Sequence, residues 1–134
     1  MTAAFSRVLL TTLARSDINA VAEIDVRTAV VSALVEIEND LDFGRLLESR
    51  GYTGDLRGCR RVYVDRPDWQ GKPRFRLVCW CSPDERQPRT ARILAFGPRA
   101  SSAAYRTAVD RYNADRASAG ESPVENRSDK ELGL

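Results

Sequence analysis

The residues best suited to chemistry are arginines and tyrosines on predicted strands and at one strand-to-helix corner. They are Arg61, Tyr63, Arg76, Arg99 and Tyr105. Arg61 and Tyr63 are two residues apart, which puts their side chains on one face of a strand. A guanidinium binds phosphate at two points, and two guanidiniums on neighbouring strands repel unless an anion lies between them. This pattern indicates a phosphate-binding surface. The alternative is that nearby aspartates, at positions 65 and 68, neutralise these charges.

The stretch "AFGPRASSAAYRTAVDRY" places an arginine between a predicted strand and a predicted helix. Ser101 or Ser102 can cap that helix, whose first free amides favour an anion beside Arg99. Tyr105 follows about one and a half turns into the helix. Taken alone, the position of Tyr105 within the helix favours a packing role over a functional one. The corner adds a third candidate cation to the predicted surface.

The charge distribution favours an anionic partner. Residues 51–116 carry fourteen lysines and arginines against seven acids, whereas the segments before and after are net acidic. Only Lys72 and Lys130 of the 21 cationic residues are lysine. Arginine suits the two-point recognition of phosphate, and a basic segment attracts nucleic acid. A GC-rich genome would produce the same arginine bias.

Several classes of site are not expected. The chain has no histidine, and its three cysteines, Cys59, Cys79 and Cys81, do not have metal-ligand or disulfide spacing. We interpret them as core residues and expect neither a metal nor a cofactor. The N-terminus does not resemble a secretory signal, and no apolar run is long enough to cross a bilayer. A cytoplasmic location is the expectation.

The elements that must position these residues follow from periodicity. Strands are predicted over residues 5–10, 59–65, 74–81 and 90–96, with two helices after the first strand and one after the last. This order predicts a single α+β domain with a mostly antiparallel sheet of about four strands. Residues 1–116 form that domain, and residues 117–134 are expected to be a flexible tail.

Alternation along the strands assigns side chains to the two faces of the sheet. The two N-terminal helices are expected to cover the face that bears Val62, Val64, Phe75 and Leu77. The other face then displays Arg61, Tyr63, Arg76 and Trp80. For Trp80, packing under the last helix is the alternative.

The segments "LRGCRRVYVD", "GKPRFRLVCWC" and "ARILAFGPRASSAAYRTAVDRY" together resemble the RelE/ParE superfamily of toxins from type II toxin–antitoxin systems. The resemblance covers roughly residues 5–113. It rests on "LRG" before a strand, on the "FRLV" strand, and on the ending "GPR" followed by a tyrosine six residues later. The order and spacing of these elements are similar to the RelE branch, the ribosome-dependent mRNA interferases.

The resemblance implies an endoribonuclease that drives a ribose 2′-OH onto the adjacent phosphate. Arg61, Arg76 and Arg99 match the family's arginines or basic positions, and Tyr105 matches its tyrosine. Tyr63 stands where the family often has a second lysine, which leaves the general base unidentified. In this interpretation the arginines stabilise the charged phosphorane, and Arg99 assists the leaving group.

The resemblance also implies messenger RNA, the ribosome and a cognate antitoxin as partners, with no membrane. The residues expected to contact RNA outside the central group are Arg57, Arg60, Lys72, Arg74, Trp80, Arg89 and Arg106. Two alternatives stay open at this stage. One is a ParE-like toxin that inhibits DNA gyrase by protein contacts, and the other is a degenerate member that only binds a partner.

Overall fold

The computed structural model describes residues 5–47, 49–50 and 54–121. Its helices are α1, α2 and α3, at Thr12–Asn19, Ile24–Asn39 and Ala103–Glu121. Its strands β1 to β7 are Val8–Leu10, Arg45–Leu46, Ser49–Arg50, Gly54–Asp55, Cys59–Val64, Phe75–Ser82 and Thr90–Pro98. A single 3-10 turn, Ala100–Ser102, joins β7 to α3.

The main sheet has the strand order β1-β7-β6-β5-β2, and β3 pairs with β4 in a separate two-stranded ribbon. β1 runs parallel to β7, and the other pairs of the main sheet are antiparallel. The predicted α+β, mostly antiparallel fold is confirmed. The main sheet has five strands rather than about four, because the short β2 pairs with β5 at the edge.

The two N-terminal helices pack on one face of the sheet, as predicted. α2 buries Val26, Val30, Leu34 and Ile37, whose spacing gives a helix one continuous apolar side. They join a core cluster with strand residues such as Leu77. This layer fixes which strand residues point away from the helices.

The third helix packs on the opposite face, which we had expected to be open. Tyr105, Ala108 and Tyr112 of α3 form a buried cluster with strand residues that include Val78 and Leu94. The strand residues whose side chains point away from the first core cluster therefore belong to a second core cluster, under α3. The predicted display of that face is therefore partial, because α3 covers the part that includes Val78 and Leu94.

The three cysteines are core residues, as predicted. Cys59, Cys79 and Cys81 are free thiols with at most 2% exposure. Burial raises the pKa of the Cys81 thiol to about 11, which keeps it protonated and unreactive at neutral pH.

The C-terminal helix continues through residues that we had assigned to the tail. α3 extends to Glu121, so residues 117–121 are helical. The rest of the expected tail lies outside the described residues. Within the described part of the chain, no helix has the length and apolar character that crossing a membrane requires.

Candidate nucleic-acid interface

The strand register brings the central candidates together on the α3 side of the sheet. Tyr63 on β5 pairs with Arg76 on β6, and Arg76 pairs in turn with Gly97 on β7. Directly paired residues have their side chains on the same face. Gly97 lies beneath the start of α3, where a Cβ atom on it would be 3.6 Å from Ala104. The cluster therefore lies where β5, β6 and the first turns of α3 meet.

The ring of Tyr63 is surrounded by cations. Its centroid lies 3.7 Å from Cζ of Arg76, 4.9 Å from Cζ of Arg61 and 5.8 Å from Nζ of Lys72. All three distances are within the range of cation–π attraction. Tyr63 is 40% exposed, so part of the ring is accessible to a ligand.

Arg76 lies beneath this ring and is only 3% exposed. Its Nη1 donates hydrogen bonds of 2.9 Å to the carbonyl oxygens of Pro73 and Phe75. We had expected Arg76 on an open surface, but the strand backbone and the Tyr63 ring enclose it. In this arrangement Arg76 holds the ring in place and contributes its charge from below.

Arg61 is the central cation with unused hydrogen-bonding capacity. Its Nη1 donates to the hydroxyl of Tyr105 over 3.4 Å, a long contact that links β5 to α3. Its Nε is buried without a hydrogen-bond partner in the described structure. A buried donor without a partner is costly and is commonly satisfied by a ligand or water. Arg61 is thus the best-placed of the central residues to bind an anion.

Arg99 lies at the rim of the cluster. Its backbone N–H donates to the carbonyl of Arg74, so it follows Gly97 along the β6–β7 pairing. Its side chain is exposed and makes no ion pair with any residue that the structure describes. The Gly-Pro-Arg corner therefore presents a cation next to β6, beside the first turns of α3.

The two aspartates that the alternative interpretation assigned to the cluster have other partners. Asp65 accepts hydrogen bonds from the side chain of Arg74, which with backbone N–H groups lowers its pKa to about 2. Asp68 pairs with Arg66 at 3.2 Å. Within the described ranges, no carboxylate lies within ion-pair distance of Arg61 or Arg76. The cluster around Tyr63 is consequently a concentration of positive charge that no described carboxylate neutralises.

Three of the other expected RNA contacts are engaged within the protein. Arg60 is 4% exposed on the opposite face and donates to the carbonyls of Glu85 and Phe43. Arg74 pairs with Asp65 and Glu23. Arg57 is exposed and pairs with Asp55 at 2.7 Å. Arg60 and Arg74 thus have structural roles, which periodicity could not reveal because their partners are distant in sequence.

The remaining expected RNA contacts are dispersed. Trp80 packs edge-on against Tyr112 with centroids 5.3 Å apart, so it belongs to the α3 core. Arg89 and Arg106 are exposed, on the β6–β7 loop and on α3 respectively. Lys72 alone of the seven is within cation–π range of Tyr63.

The sequence reasoning missed one cation of this face. Arg45 is exposed and pairs directly with Arg61 across β2 and β5. A strand of two residues has no alternation to detect. The available signal was Gly44, a residue type that often marks a change of chain direction.

Comparison with known proteins supports the fold. The chain shares the fold of the toxin RelE. It matches the structure of E. coli toxin RelE, a double arginine-to-alanine mutant in the free state, with a TM-score of 0.54 and 20% sequence identity. The match covers 78% of this chain and 95% of that chain. No protein-family model and no curated protein sequence matches the chain.

Proposed function

We propose that this chain is the toxin of a type II toxin–antitoxin system and cleaves messenger RNA on the ribosome. The observation that carries the proposal is the basic cluster of Arg61, Arg76 and Lys72 around the accessible ring of Tyr63, which has no acidic partner among the described residues. It lies on a RelE-like fold, beside α3 and the Arg99 corner. The partners are a cytoplasmic ribosome carrying mRNA and a cognate antitoxin.

The reaction in this proposal is an internal transfer of the phosphodiester. The ribose 2′-oxygen bonds to phosphorus as its proton passes to the general base, and the bond from phosphorus to the 5′-oxygen breaks. The 5′-oxygen leaves with negative charge and then takes a proton from water, giving a 2′,3′-cyclic phosphate and a 5′-hydroxyl. Arg61 stabilises the charge that develops on the non-bridging oxygens, because it has a free donor and no carboxylate partner. Arg99 supports the charge on the leaving oxygen.

In this proposal a tyrosine accepts the proton of the ribose 2′-hydroxyl, since the chain contains no histidine. Tyr63 carries the hydroxyl among the cations, and Arg76 fixes its ring from beneath. Tyr105 accepts from Arg61 and holds its guanidinium in position. The ribosome fixes the strand in the geometry for in-line attack, which supplies the entropic part of catalysis.

Pulse-labelling in cells that express the chain tests the class of function. Translation should stop before DNA synthesis if mRNA is the target. Early arrest of DNA synthesis with intact mRNA would contradict the proposal and favour a gyrase inhibitor. Growth without either arrest would favour a member that only binds a partner.

Primer extension on mRNA from the same cells tests the site. Arg61→Gln and Arg99→Ala should remove codon-phased cuts. Arg15→Gln is the matched control, because Arg15 is exposed on α1, on the opposite side of the sheet. Cuts that persist in both site variants would remove these arginines from the mechanism.

A further inference from the structure

The edge of the sheet beside the proposed active site carries two directly opposed arginines. Arg45 on β2 and Arg61 on β5 are partners in the antiparallel register. Such partners have their Cβ atoms about 4.5–5.5 Å apart on the same face of the sheet. Like charges in this position destabilise a strand pair. Here the pair forms part of the edge of the main sheet.

The backbone is shaped to bring β2 against Arg61. Gly44 has a φ of +56°, a conformation that L side chains rarely adopt. A Cβ atom on Gly44 would lie 2.1 Å from the carbonyl oxygen of Arg61. Only glycine permits this approach, and the next residue is Arg45. The close passage of the chain therefore places the second guanidinium opposite the first.

Among the described residues, neither arginine of this pair has an acidic partner. In residues 5–47, 49–50 and 54–121, no carboxylate is within 4.0 Å of Arg45 or Arg61. The nearby Asp42 pairs instead with Arg60, at 3.0 Å. Arg61 also has its buried Nε without a partner. Two arginines directly opposite each other, one of them with an unsatisfied buried donor, make a site for a shared anion.

We infer that Arg45 and Arg61 form a clamp for one phosphodiester of a single-stranded RNA. This inference rests on the proposed function and extends it to a phosphate next to the one that is cleaved. Arg61 joins the two positions, because it pairs with Arg45 across the strands and also contacts Tyr105 and Tyr63. The accessible Tyr63 ring provides a stacking surface for a base of an unpaired strand, which favours single-stranded RNA over a duplex.

An exposed arginine on an edge strand has another possible role, since edge charges prevent unwanted strand pairing. That role requires only one charge, and it does not require an arginine opposite Arg61. The two interpretations differ in what Arg45→Gln does to RNA binding, because edge protection has no effect on affinity for RNA.

The test is equilibrium binding of a fluorescent 2′-O-methyl oligoribonucleotide to the full chain, followed by polarisation over a range of salt concentrations. The 2′-O-methyl group removes the attacking nucleophile, so binding is read without cleavage. Arg45→Gln should weaken binding about tenfold at low salt, the loss expected for one charge-assisted contact. The substitution should also reduce the slope of log binding constant against log salt concentration by about 0.7, the value for one phosphate contact on a single strand.

The matched control is Arg15→Gln, which removes the same charge from the opposite side of the sheet and should leave affinity nearly unchanged. The double variant Arg45→Gln/Arg61→Gln should lose less than the product of the two single losses, because both side chains hold one phosphate. Thermal unfolding of each variant checks that the fold is intact.

Three results would overturn the clamp: no saturable binding by the unmodified chain, equal losses in Arg45→Gln and Arg15→Gln, or a loss seen only with duplex RNA. Failure of the proposed function has a different signature. Messenger RNA would then stay uncut in cells, while the Arg45 effect on the oligonucleotide would still be measured.

Discussion

At the scale of single residues, the proposed reaction depends most on Tyr63. Its ring contacts Arg76 at 3.7 Å, and its hydroxyl is the feature that distinguishes it from a purely stacking residue. The ring and the hydroxyl can be separated by substitution. Phenylalanine keeps the cation–π contact and the stacking surface, whereas alanine removes both.

Tyr63→Phe should lower single-turnover cleavage of mRNA on programmed ribosomes about a hundredfold, the usual contribution of a general base. Its affinity for the 2′-O-methyl oligoribonucleotide should stay at the wild-type level, because the ring remains. Tyr63→Ala should lose affinity as well as cleavage. Cleavage by Tyr63→Phe at the wild-type rate would exclude the hydroxyl as the base.

Period-two alternation correctly predicted that Arg61, Tyr63 and Arg76 share a face. It could not predict that Arg76 is buried, because its enclosure depends on the carbonyls of Pro73 and Phe75 and on a ring from the neighbouring strand. Arg45 was missed for a related reason, since its position follows from a tertiary approach at Gly44. The strand pattern predicts the face of the sheet on which a side chain lies, whereas tertiary contacts determine how exposed that side chain is.

At the scale of elements, a carboxylate at the start of the β5–β6 loop stabilises the hairpin. Asp65 accepts from the guanidinium and backbone N–H of Arg74, and Arg74 also pairs with Glu23 before α2. The Trp69 ring lies 3.7 Å from the Arg74 guanidinium carbon and covers it. These contacts tie the hairpin to the helical layer, and they keep Arg74 separate from the Tyr63 cluster.

The hairpin network should make stability depend on pH. The Arg74 side chain, with backbone N–H groups, lowers the pKa of Asp65 from 3.8 to about 2. A carboxyl whose pKa is lower in the folded state stabilises the fold fully above its unfolded pKa. That stabilisation is lost as the pH falls through about 4 toward 2. Asp65→Asn should therefore unfold at lower denaturant concentration at neutral pH. Its free energy of unfolding should also decline less steeply over this acid range than that of the unmodified chain.

Denaturant titrations at several pH values measure this dependence. Asp68→Asn serves as the comparison, because Asp68 is an exposed acid of the same hairpin and its pair with Arg66 contributes little. If the free energy of unfolding of Asp65→Asn falls at acid pH as steeply as that of the unmodified chain, the Asp65 carboxylate does not stabilise the hairpin.

The long elements were predictable and the short ones were not. β5, β6 and β7 have six to nine residues, enough for alternation to show. β2 and the β3–β4 ribbon have two-residue strands, which are defined by pairing rather than by composition. The position of α3 over the second face was also unpredictable, because its packing depends on Tyr105 and Tyr112 meeting strand residues that are remote in sequence.

At the scale of the whole molecule, one ion pair closes the open edge of the sheet. β1 pairs with β7 only as far as Ile93, which leaves the next backbone groups of β7 without a strand partner. Asp17 of α1 accepts from the N–H of Phe96, and Arg111 of α3 donates to the carbonyl of Leu94. The two side chains also bind each other at 2.6 and 3.1 Å. They thus join the helices of the two layers across the edge of the sheet.

Arg111→Ala should lower the free energy of unfolding by about 2 kcal/mol, because it leaves the Leu94 carbonyl and the Asp17 carboxylate without their charged donor. Arg106→Ala removes an exposed arginine from the same helix and should change stability by less than about 0.5 kcal/mol. The Asp17→Asn/Arg111→Ala double variant should be less destabilised than the sum of the single variants, because the two residues share these bonds. Since α3 carries Tyr105, its loosening should also lower RNA affinity in Arg111→Ala. Equal stability of Arg111→Ala and Arg106→Ala would mean that the packing of α3 alone, without this link, joins the layers.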